Sequence, residues 1–327
     1  MFKFHPILKS VLWGGNRIPA FKRIDTNQQR IGESWEISGV SGNESVVADG
    51  PDAGLTLPEL IARYRDALVG VDVYARFGNE FPLLVKLIDA EQNLSLQVHP
   101  DDALASLRHG CQGKTEMWYL INTQPQAEIL AGFEREITSD DYERMVADGS
   151  ILQAVRHHEA HDGDVFFLPP GTIHSIGAGN LLAEIQQTSD ITYRVYDYDR
   201  RDALGNKRQL HTALARQALD YTTGDNYTRE YDRNAPGLTT LVECNHFVVS
   251  RLQCDGDDTL PLAAVKSFVI VVCVDGEAQL TDDSELNPTD GGNPAVSIAR
   301  GQTVLIPAGS TNLHIDGKTT LLTAWMP

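Results

Sequence analysis

Ser95-Leu-Gln-Val-His-Pro-Asp-Asp102 is the most informative stretch of this 327-residue chain. The run over 94–98 is short and apolar or alternating, which predicts a β-strand. Gln97 and His99 are two residues apart, so on a strand both side chains leave the same face. A side-chain amide and an imidazole on one strand face are candidate ligands for a metal ion.

Two later segments supply further candidate ligands. Gly113-Lys-Thr-Glu-Met-Trp118 places Glu116 at the start of a strand-like run, and Pro169-Pro-Gly-Thr-Ile-His174 ends in His174. Together with the first pair, these side chains would converge on one point if the three strands belong to one barrel. Two imidazoles, one carboxylate and one amide oxygen suit a borderline divalent cation such as zinc better than calcium or a thiolate-loving metal.

The composition is ordinary for a globular enzyme, with 42% hydrophobic and 22% charged residues. The formal net charge of −18 argues against nucleic acid and anionic membranes as partners, because such a field repels polyanions. A phosphorylated substrate would therefore need a local positive pocket. No signal peptide and no apolar run near the ~20 residues that span a bilayer are found. Since the four cysteines lack C-x-x-C spacing, we expect a cytoplasmic protein with reduced thiols.

Strand patterns dominate the chain. Short apolar or alternating runs predict strands over 81–88, 94–98, 117–122, 127–131, 164–168 and 181–187. Helices are predicted over 56–68, 101–108, 139–147 and 211–221. The polar stretch over 222–237 is typical of a linker. Further strands are predicted beyond it, over 239–242, 247–252, 267–274, 278–280, 303–306 and 319–324.

A weak internal repeat indicates two similar barrels. Gly163-Asp-Val-Phe-Phe-Leu-Pro-Pro-Gly-Thr-Ile-His174 aligns with Gly301-Gln-Thr-Val-Leu-Ile-Pro-Ala-Gly-Ser-Thr-Asn312. The spacing of glycine, proline and glycine is the same in both copies, but the first ends in histidine and the second in asparagine. We therefore predict a metal-binding catalytic domain with helical segments over 1–235. A second, degenerate barrel without the metal site is predicted over 236–327.

The glycine-proline-glycine-histidine pattern resembles the second motif of the cupin superfamily, small β-barrels of jelly-roll type. Gln97-Val-His99 followed by Glu116 resembles the first cupin motif, with glutamine replacing its first histidine. With that replacement the chain is similar to the type I mannose-6-phosphate isomerases in their short bacterial form. Other matching runs are Leu12-Trp-Gly-Gly15, Ile31-Gly-Glu-Ser-Trp-Glu-Ile-Ser38, Glu184-Ile-Gln-Gln-Thr-Ser-Asp190 and Tyr193-Arg-Val-Tyr-Asp197.

The resemblance implies a fold of two cupin-type jelly rolls and one zinc ion per chain, with another divalent metal as the alternative. Its implied ligands are Gln97, His99, Glu116 and His174. The implied reaction interconverts mannose 6-phosphate and fructose 6-phosphate by moving a proton between C2 and C1. Zinc with one carboxylate and three neutral ligands keeps a residual positive charge, which would stabilise an enediolate oxygen.

The resemblance also implies roles for residues around the metal. Arg194 matches a pocket arginine, and its guanidinium fork suits a phosphate group. Lys86 and Ser95 match positions proposed to hold the phosphate. Glu184 is the first candidate for the proton-shuttling base, with a pKa expected nearer neutrality than that of a free carboxylate. Lys114 is the alternative base and could also bind a substrate oxygen.

Plainer roles stay open for these residues. Lys86 could be a charge on an edge strand, and Lys114 could be an ordinary surface lysine. Arg194 could form a structural ion pair with Asp197 or Asp199, and Glu184 could be a buried partner of an arginine. Asp190 could orient Arg194.

Two other functions also stay open. A cupin oxygenase would use iron on two histidines and a carboxylate. A non-catalytic regulator would bind the sugar phosphate without turnover. The oligomeric state, monomer or dimer, is open.

Overall fold

The computed structural model describes residues 1–202, 204–224, 227–286 and 293–327, and antiparallel strands dominate it. The fold is mainly β, as predicted. The strands that precede the predicted linker are β1 (Phe4–His5), β2 (Ile7–Ser10), β3 (Ile31–Ile37), β4 (Val46–Val47), β5 (Leu83–Asp89), β6 (Leu96–Val98), β7 (Glu116–Thr123), β8 (Glu128–Phe133), β9 (Val155–Glu159), β10 (Val165–Leu168), β11 (His174–Ile176), β12 (Asn180–Gln187) and β13 (Tyr193–Tyr196).

The described α-helices all lie in the amino-terminal two thirds of the chain. They are α1 (Arg17–Lys22), α2 (Leu57–Tyr64), α3 (Asp66–Val69), α4 (Val71–Phe77), α5 (Asp102–His109), α6 (Ser139–Asp148) and α7 (Thr212–Ala218), with a 3₁₀ turn over Ile151–Ala154. The single helix predicted over 56–68 is wrong, because Arg65 adopts φ 51° and the chain leaves the helix there. Gly70, with φ 96°, separates α3 from α4. Among the described residues, every helix is too short or too polar to cross a lipid bilayer.

Two antiparallel sheets face each other in the first part of the chain. The six-stranded sheet has the order β10-β7-β12-β5-β3-β2, and the five-stranded sheet has the order β13-β6-β11-β8-β9. Apolar side chains from both sheets, such as Trp118 and Ile129, form one core between them. Helices α6 and α7 cover the outer face of the five-stranded sheet.

Side-chain alternation sorts residues between the inside and the outside of this sandwich. In β5, Val85 and Leu87 belong to the outer core, which continues into the second half of the chain. Lys86, between them, therefore points inward. In β7 the same alternation sends Met117 outward and Trp118 inward. Polar residues at the inward positions consequently meet between the two sheets.

The second half forms another antiparallel sheet with its own apolar core. Its strands are β14 (Gly237–Glu243), β15 (Val248–Pro261), β16 (Val269–Asp282), β17 (Val296–Ala299), β18 (Thr303–Ile306) and β19 (Asn312–Trp325), in the order β14-β15-β19-β16-β17, with β18 paired to β16. The strands predicted over 267–274 and 278–280 form one strand. A bulge between Cys273 and Asp275 lets β16 keep pairing with β19 along its length.

The internal repeat corresponds to matching structure in the two halves. Gly163 and Gly301 have φ of 82° and 80° and precede the four-residue strands β10 and β18. His174 then opens β11, as Asn312 opens β19.

The predicted linker is attached to the first sandwich. Residues 225 and 226 of this stretch lie outside the described residues. Its described part has no helix or named strand before Gly237, where β14 begins, but Tyr227 and Arg229 exchange backbone hydrogen bonds with β10. One continuous core also joins the six-stranded sheet to the second half, with Leu83 and Phe247 among its members.

Candidate active site

Three strands bring the four predicted metal ligands together. Gln97 on β6 lies directly opposite His174 on β11, and Glu116 opens β7 in the facing sheet. Nε2 of His174 is 3.3 Å from Glu116 Oε1, and Nε2 of His99 is 3.6 Å from Glu116 Oε2. One ligand atom from each of these three residues lies within 4.8 Å of the others, and all three are buried.

Both imidazoles direct the lone pair of a ring nitrogen toward the Glu116 carboxylate. His99 Nδ1 donates to the Ile191 carbonyl at 2.8 Å, and His174 Nδ1 donates to the Thr172 carbonyl at 2.9 Å. These bonds assign the proton to Nδ1, so each Nε2 is unprotonated and can act as an acceptor or a ligand. Lys114 Nζ lies 3.2 Å from His99 Nε2 and can donate to it. Burial lowers the pKa of His174 to about 4, and burial and the Lys114 ammonium lower the pKa of His99 well below its ordinary value. Both rings are therefore neutral at pH 7.

Glu116 is the unsatisfied member of the cluster. Its side chain is fully buried, and its Oε1 accepts no hydrogen bond although it faces His174 Nε2. Burial raises the pKa of Glu116 to about 7, against the opposing effect of Lys114, whose Nζ lies 2.7 Å from Oε2. Lys114 therefore serves Oε2, whereas the buried Oε1 faces the His174 nitrogen without a positive partner. This donor set fits a divalent cation such as zinc.

Gln97 is adjacent to the cluster. Its Nε2 lies 3.3 Å from His174 Nε2, and its Oε1 accepts from the Ser95 hydroxyl at 3.3 Å. A half-turn of the amide would exchange the two atoms and present the oxygen to the cluster. The side chain is therefore within reach of a shared cation, as its position on β6 predicts.

A cavity of about 140 Å³ opens beside these ligands and collects nearly every other predicted site residue. Predicted residues on its wall are Lys86, Ser95, Gln97, Lys114, Glu184 and Arg194. The sequence analysis did not single out Trp13, Glu33, Thr192 or Arg208, which also line it. Of these, Trp13 and Glu33 lie within quoted motifs, and Arg208 belongs to the second of two basic pairs, Arg200-Arg201 and Lys207-Arg208.

The two lysines are buried members of the site, so the plainer roles considered for them are wrong. Lys86 is 5% exposed on β5 inside the six-stranded sheet, and Lys114 is 4% exposed. Glu184 lies across from Lys86 in the sheet. Its Oε1 is 3.0 Å from Lys86 Nζ and 3.8 Å from Lys114 Nζ, and its Oε2 accepts from the Trp118 indole at 2.8 Å. Its buried partners are thus lysines and not an arginine.

The expectation that the pKa of Glu184 lies near neutrality is wrong. Burial raises this pKa, but the nearby ammonium groups of Lys114 and Lys86 outweigh burial and lower it to about 2. The carboxylate is therefore ionised at pH 7 and weakly basic in this environment. Lys86 also remains charged, because Glu184, Glu33 and Asp190 outweigh its burial and raise its pKa.

Arginines occupy the other end of the cavity. Arg194 lies opposite Gln97 on β13, and its Nε donates to Ser95 Oγ at 3.2 Å. Its Nη1 donates to the Gln209 carbonyl at 3.2 Å. The structure does not join Arg194 to Asp190 by a hydrogen bond or ion pair within the described residues.

Asp197 and Asp199, considered as partners of Arg194, are engaged elsewhere. Asp197 pairs with Arg200 and Arg208, and Asp199 pairs with Lys207. The structural ion pair considered for Arg194 is therefore wrong. Its guanidinium is held by neutral acceptors beside the cavity.

Replacing Lys86 by methionine is expected to lower the free energy of unfolding by about 3 kcal/mol at pH 7, because Glu184 loses its nearest buried counter-charge. The loss should shrink at low pH. A carboxyl with a depressed folded-state pKa contributes stability above its unfolded value of 4.5 and loses it as pH falls toward about 2. Urea unfolding at pH 7 and at pH 3 measures both effects.

The matched control is Lys9→Met. Lys86 Nζ lies 5.2 Å from the centroid of the Trp35 ring, and Lys9 Nζ lies 4.7 Å from the same centroid, but Lys9 is less buried. Its replacement should change stability by less than about 1 kcal/mol. A Lys86→Met loss of equal size at both pH values would contradict the assigned charge pair.

Comparison with known proteins identifies relatives along the whole chain. Residues 1–148 match the family model for phosphomannose isomerase type I, catalytic domain, and residues 237–325 match the model for mannose-6-phosphate isomerase, cupin domain. The chain is 34% identical to the mannose-6-phosphate isomerase ManA of Bacillus subtilis, over 96% of its own length and 95% of that protein. It is also 34% identical to the mannose-6-phosphate isomerase of Streptococcus mutans, over 94% and 92% of the two chains.

A solved structure agrees with these sequence matches. The crystal structure of the mannose 6-phosphate isomerase from Bacillus subtilis superposes with a TM-score of 0.86 at 31% identity. The match covers 99% of each chain. Both halves of the present fold therefore have counterparts in that protein.

Proposed function

The chain belongs to the type I phosphomannose isomerase family, and from this premise we propose that it is a zinc-dependent aldose–ketose isomerase. It would interconvert mannose 6-phosphate and fructose 6-phosphate by moving a proton between C2 and C1. The observation that carries the proposal is the buried Glu116 carboxylate beside two imidazoles, with an Oε1 that has no donor, next to a cavity lined by arginine.

The residues that would hold the metal are Gln97, His99, Glu116 and His174. The zinc ion would supply positive charge that polarises the sugar oxygens and stabilises the negative charge of the reaction. The carbonyls of Ile191 and Thr172 keep the two imidazoles in the tautomer that exposes Nε2. The wall of the sandwich around these residues excludes bulk water, since all of them except Gln97 are almost fully buried.

The proton would be carried by Glu184, with Lys114 as the alternative. Glu184 is ionised and can accept a proton, but the two neighbouring ammonium groups weaken its basicity. Lys114 Nζ lies between Glu116 and Glu184, so it can turn toward a substrate oxygen. That movement would leave only Lys86 beside Glu184. The pKa of Glu184 would then rise toward the pH at which the enzyme works.

The phosphate would lie at the arginine end. Arg194 supports this role because its guanidinium faces the cavity with neutral partners, Ser95 and the Gln209 carbonyl. A guanidinium binds a phosphate through two parallel charge-assisted hydrogen bonds. Lys86 contacts Glu184 directly, which favours a role for it in the charge balance of the base.

The two halves would have different tasks. We assign the catalytic unit to residues 1–235, which contain all the candidate ligands and the cavity wall. Residues 236–327 would form a second cupin-like unit that carries no metal and supports the outer face of the six-stranded sheet through the shared core.

A coupled assay of mannose 6-phosphate conversion tests the function directly. Activity should be lost on treatment with a chelator and should return on addition of zinc, with manganese and iron as comparison metals. No oxygen consumption should accompany turnover, which separates the isomerase from an iron oxygenase. Chelator-resistant activity would contradict the metal, and tight sugar-phosphate binding without turnover would point to a regulator.

Replacing Arg194 by alanine should raise the KM for mannose 6-phosphate by about 10- to 100-fold, since it removes charge-assisted bonds to phosphate. Steady-state kinetics measure this change. Arg144→Ala removes an exposed arginine of α6 and should leave KM unchanged. Wild-type kinetics in the Arg194 variant would dismiss the phosphate role.

A further inference from the structure

We propose that Arg208 is a second guanidinium that binds the substrate phosphate beside Arg194, and that Asp197 is the positioning residue that orients it. This inference rests on the proposed function and deepens it. It assigns the phosphate to a pair of arginines brought together by two separate segments of chain.

Arg208 is oriented by a two-point contact. Its Nε donates to Asp197 Oδ2 at 2.7 Å, and its Nη2 donates to Asp197 Oδ1. Asp197 is only 6% exposed, so this anchor is fixed within the protein. Among the described residues these are the hydrogen bonds of Arg208, and the rest of its fork lies on the cavity wall with Arg194. A guanidinium held by one edge presents its remaining N–H groups in a defined direction.

The arginine end of the cavity carries excess positive charge. Arg200 and Arg208 both pair with Asp197, and Arg194 lies near enough for the charges of all three to act on it, so two paired guanidinium groups and one unpaired group share a single nearby carboxylate. Burial and the charges of Arg208 and Arg200 lower the pKa of Arg194, while Asp197 opposes them, which records the repulsion within the group. A dianionic phosphate would relieve this repulsion. This excess of positive charge is a local feature of the arginine end, whereas the chain as a whole has a formal charge of −18.

Other charges that line the cavity are largely engaged with one another. Glu184 is bound by Lys86, and Lys114 lies between Glu116 and Glu184. Asp190 also lines the cavity and is exposed. Glu33 lines it as well, so the lysine side has the two lysines against four carboxylates, those of Glu33, Glu116, Glu184 and Asp190. The positive excess is therefore confined to the arginine side.

The path from the metal to the arginines matches the shape of the substrate. Ser95 Oγ contacts both Gln97 Oε1 and Arg194 Nε, at 3.3 and 3.2 Å. Ser95 therefore lies between Gln97 and Arg194, and Arg208 lines the same cavity. In a hexose 6-phosphate, the reacting carbons C1 and C2 and the phosphate on C6 lie at opposite ends. The arrangement places the reacting carbons at the metal and the phosphate between the guanidinium groups.

Arg208→Gln is the decisive variant. Its KM for mannose 6-phosphate should rise about 10- to 100-fold with a much smaller change in kcat, and competitive inhibition by inorganic phosphate should weaken by a similar factor. Asp197→Asn should raise KM less, because Arg208 stays present but loses its anchor. Arg201→Gln is the matched control, since this exposed arginine belongs to the same turn and bonds to the Gly205 carbonyl. It should keep wild-type KM and phosphate inhibition.

The outcomes separate this inference from the proposed function. Wild-type turnover with an unchanged KM in Arg208→Gln would overturn the role of Arg208 alone. If the wild-type protein does not convert mannose 6-phosphate, the proposed function fails, and calorimetric titration with inorganic phosphate still compares wild type with Arg208→Gln. Should that variant fail to fold, Arg208→Lys keeps the charge without the fork. It is then expected to show a KM above that of the wild type, and a wild-type KM would overturn the role of the Arg208 guanidinium.

Discussion

Replacing His174 by alanine should remove the bound metal and lower kcat/KM for mannose 6-phosphate by ~10³-fold or more, because Lewis-acid stabilisation is worth several kcal/mol. The imidazole is fully buried and its Nε2 lies 3.3 Å from the Glu116 carboxylate and 3.3 Å from the Gln97 amide. Its loss removes one ligand and the residue that holds the others in register. Metal content by atomic spectroscopy and steady-state kinetics measure the two effects.

The second half should stay folded in this variant, because its apolar core is formed by residues 252–321 without His174. His158→Ala is the control: His158 lies in the same five-stranded sheet and bonds to the Ala131 carbonyl at 3.2 Å, but it is not a member of the ligand cluster. It should retain metal and activity. A His174→Ala protein that is active without metal would refute the proposed centre.

Replacing Glu184 by glutamine should lower the rate of C2 proton exchange by ~10²- to 10⁴-fold while zinc stays bound, since general-base catalysis contributes about that much. Glutamine keeps the size of the side chain and can still accept from the Trp118 indole. Solvent-hydrogen exchange at C2, followed by NMR, reports the proton transfer, and metal analysis reports the site. If exchange survives with zinc in place, Lys114 becomes the base.

Loss of a buried charge partner could by itself disturb the protein, so a matched control is needed. Glu36→Gln also removes a buried carboxylate from a lysine pair, since Glu36 Oε1 lies 2.5 Å from Lys22 Nζ. Glu36 is on β3 of the same sheet but does not line the cavity. Its replacement should destabilise the fold and leave C2 exchange intact. Equal loss of exchange in both variants would show a structural effect.

Much of the fold could be predicted because strand and turn signals are local. The strand predicted over 303–306 has the same bounds in the structure, and the glycine–proline repeat corresponds to β10 and β18. The strands that were not predicted include β2, β3 and β17, and also β1 and β4, which have two residues each and pair with one another. The break in the predicted helix at Arg65 likewise has no glycine or proline to mark it. Such features depend on distant contacts, which a local pattern does not record.

Part of the candidate site could likewise be predicted from local sequence patterns, and part of it depends on distant contacts. Alternation along β6 and the proline–glycine turn before His174 were enough to group the metal-ligand candidates, because two-residue periodicity fixes the face of each side chain. Arg208 was missed because its position depends on Asp197, eleven residues earlier, and on the return of the chain beside β13.

The order of residue types along the chain determined the mainly β fold, the repeated barrel motif and the chemistry of the metal-ligand candidates. The charge environment was decided only when separate strands met. Glu184 lies between Lys86 and Trp118 because β12 pairs with both β5 and β7, and that register lowers its pKa to about 2. The physical reason is that Coulomb energy and desolvation depend on distance and burial in space, whereas strand periodicity depends on neighbours in the chain.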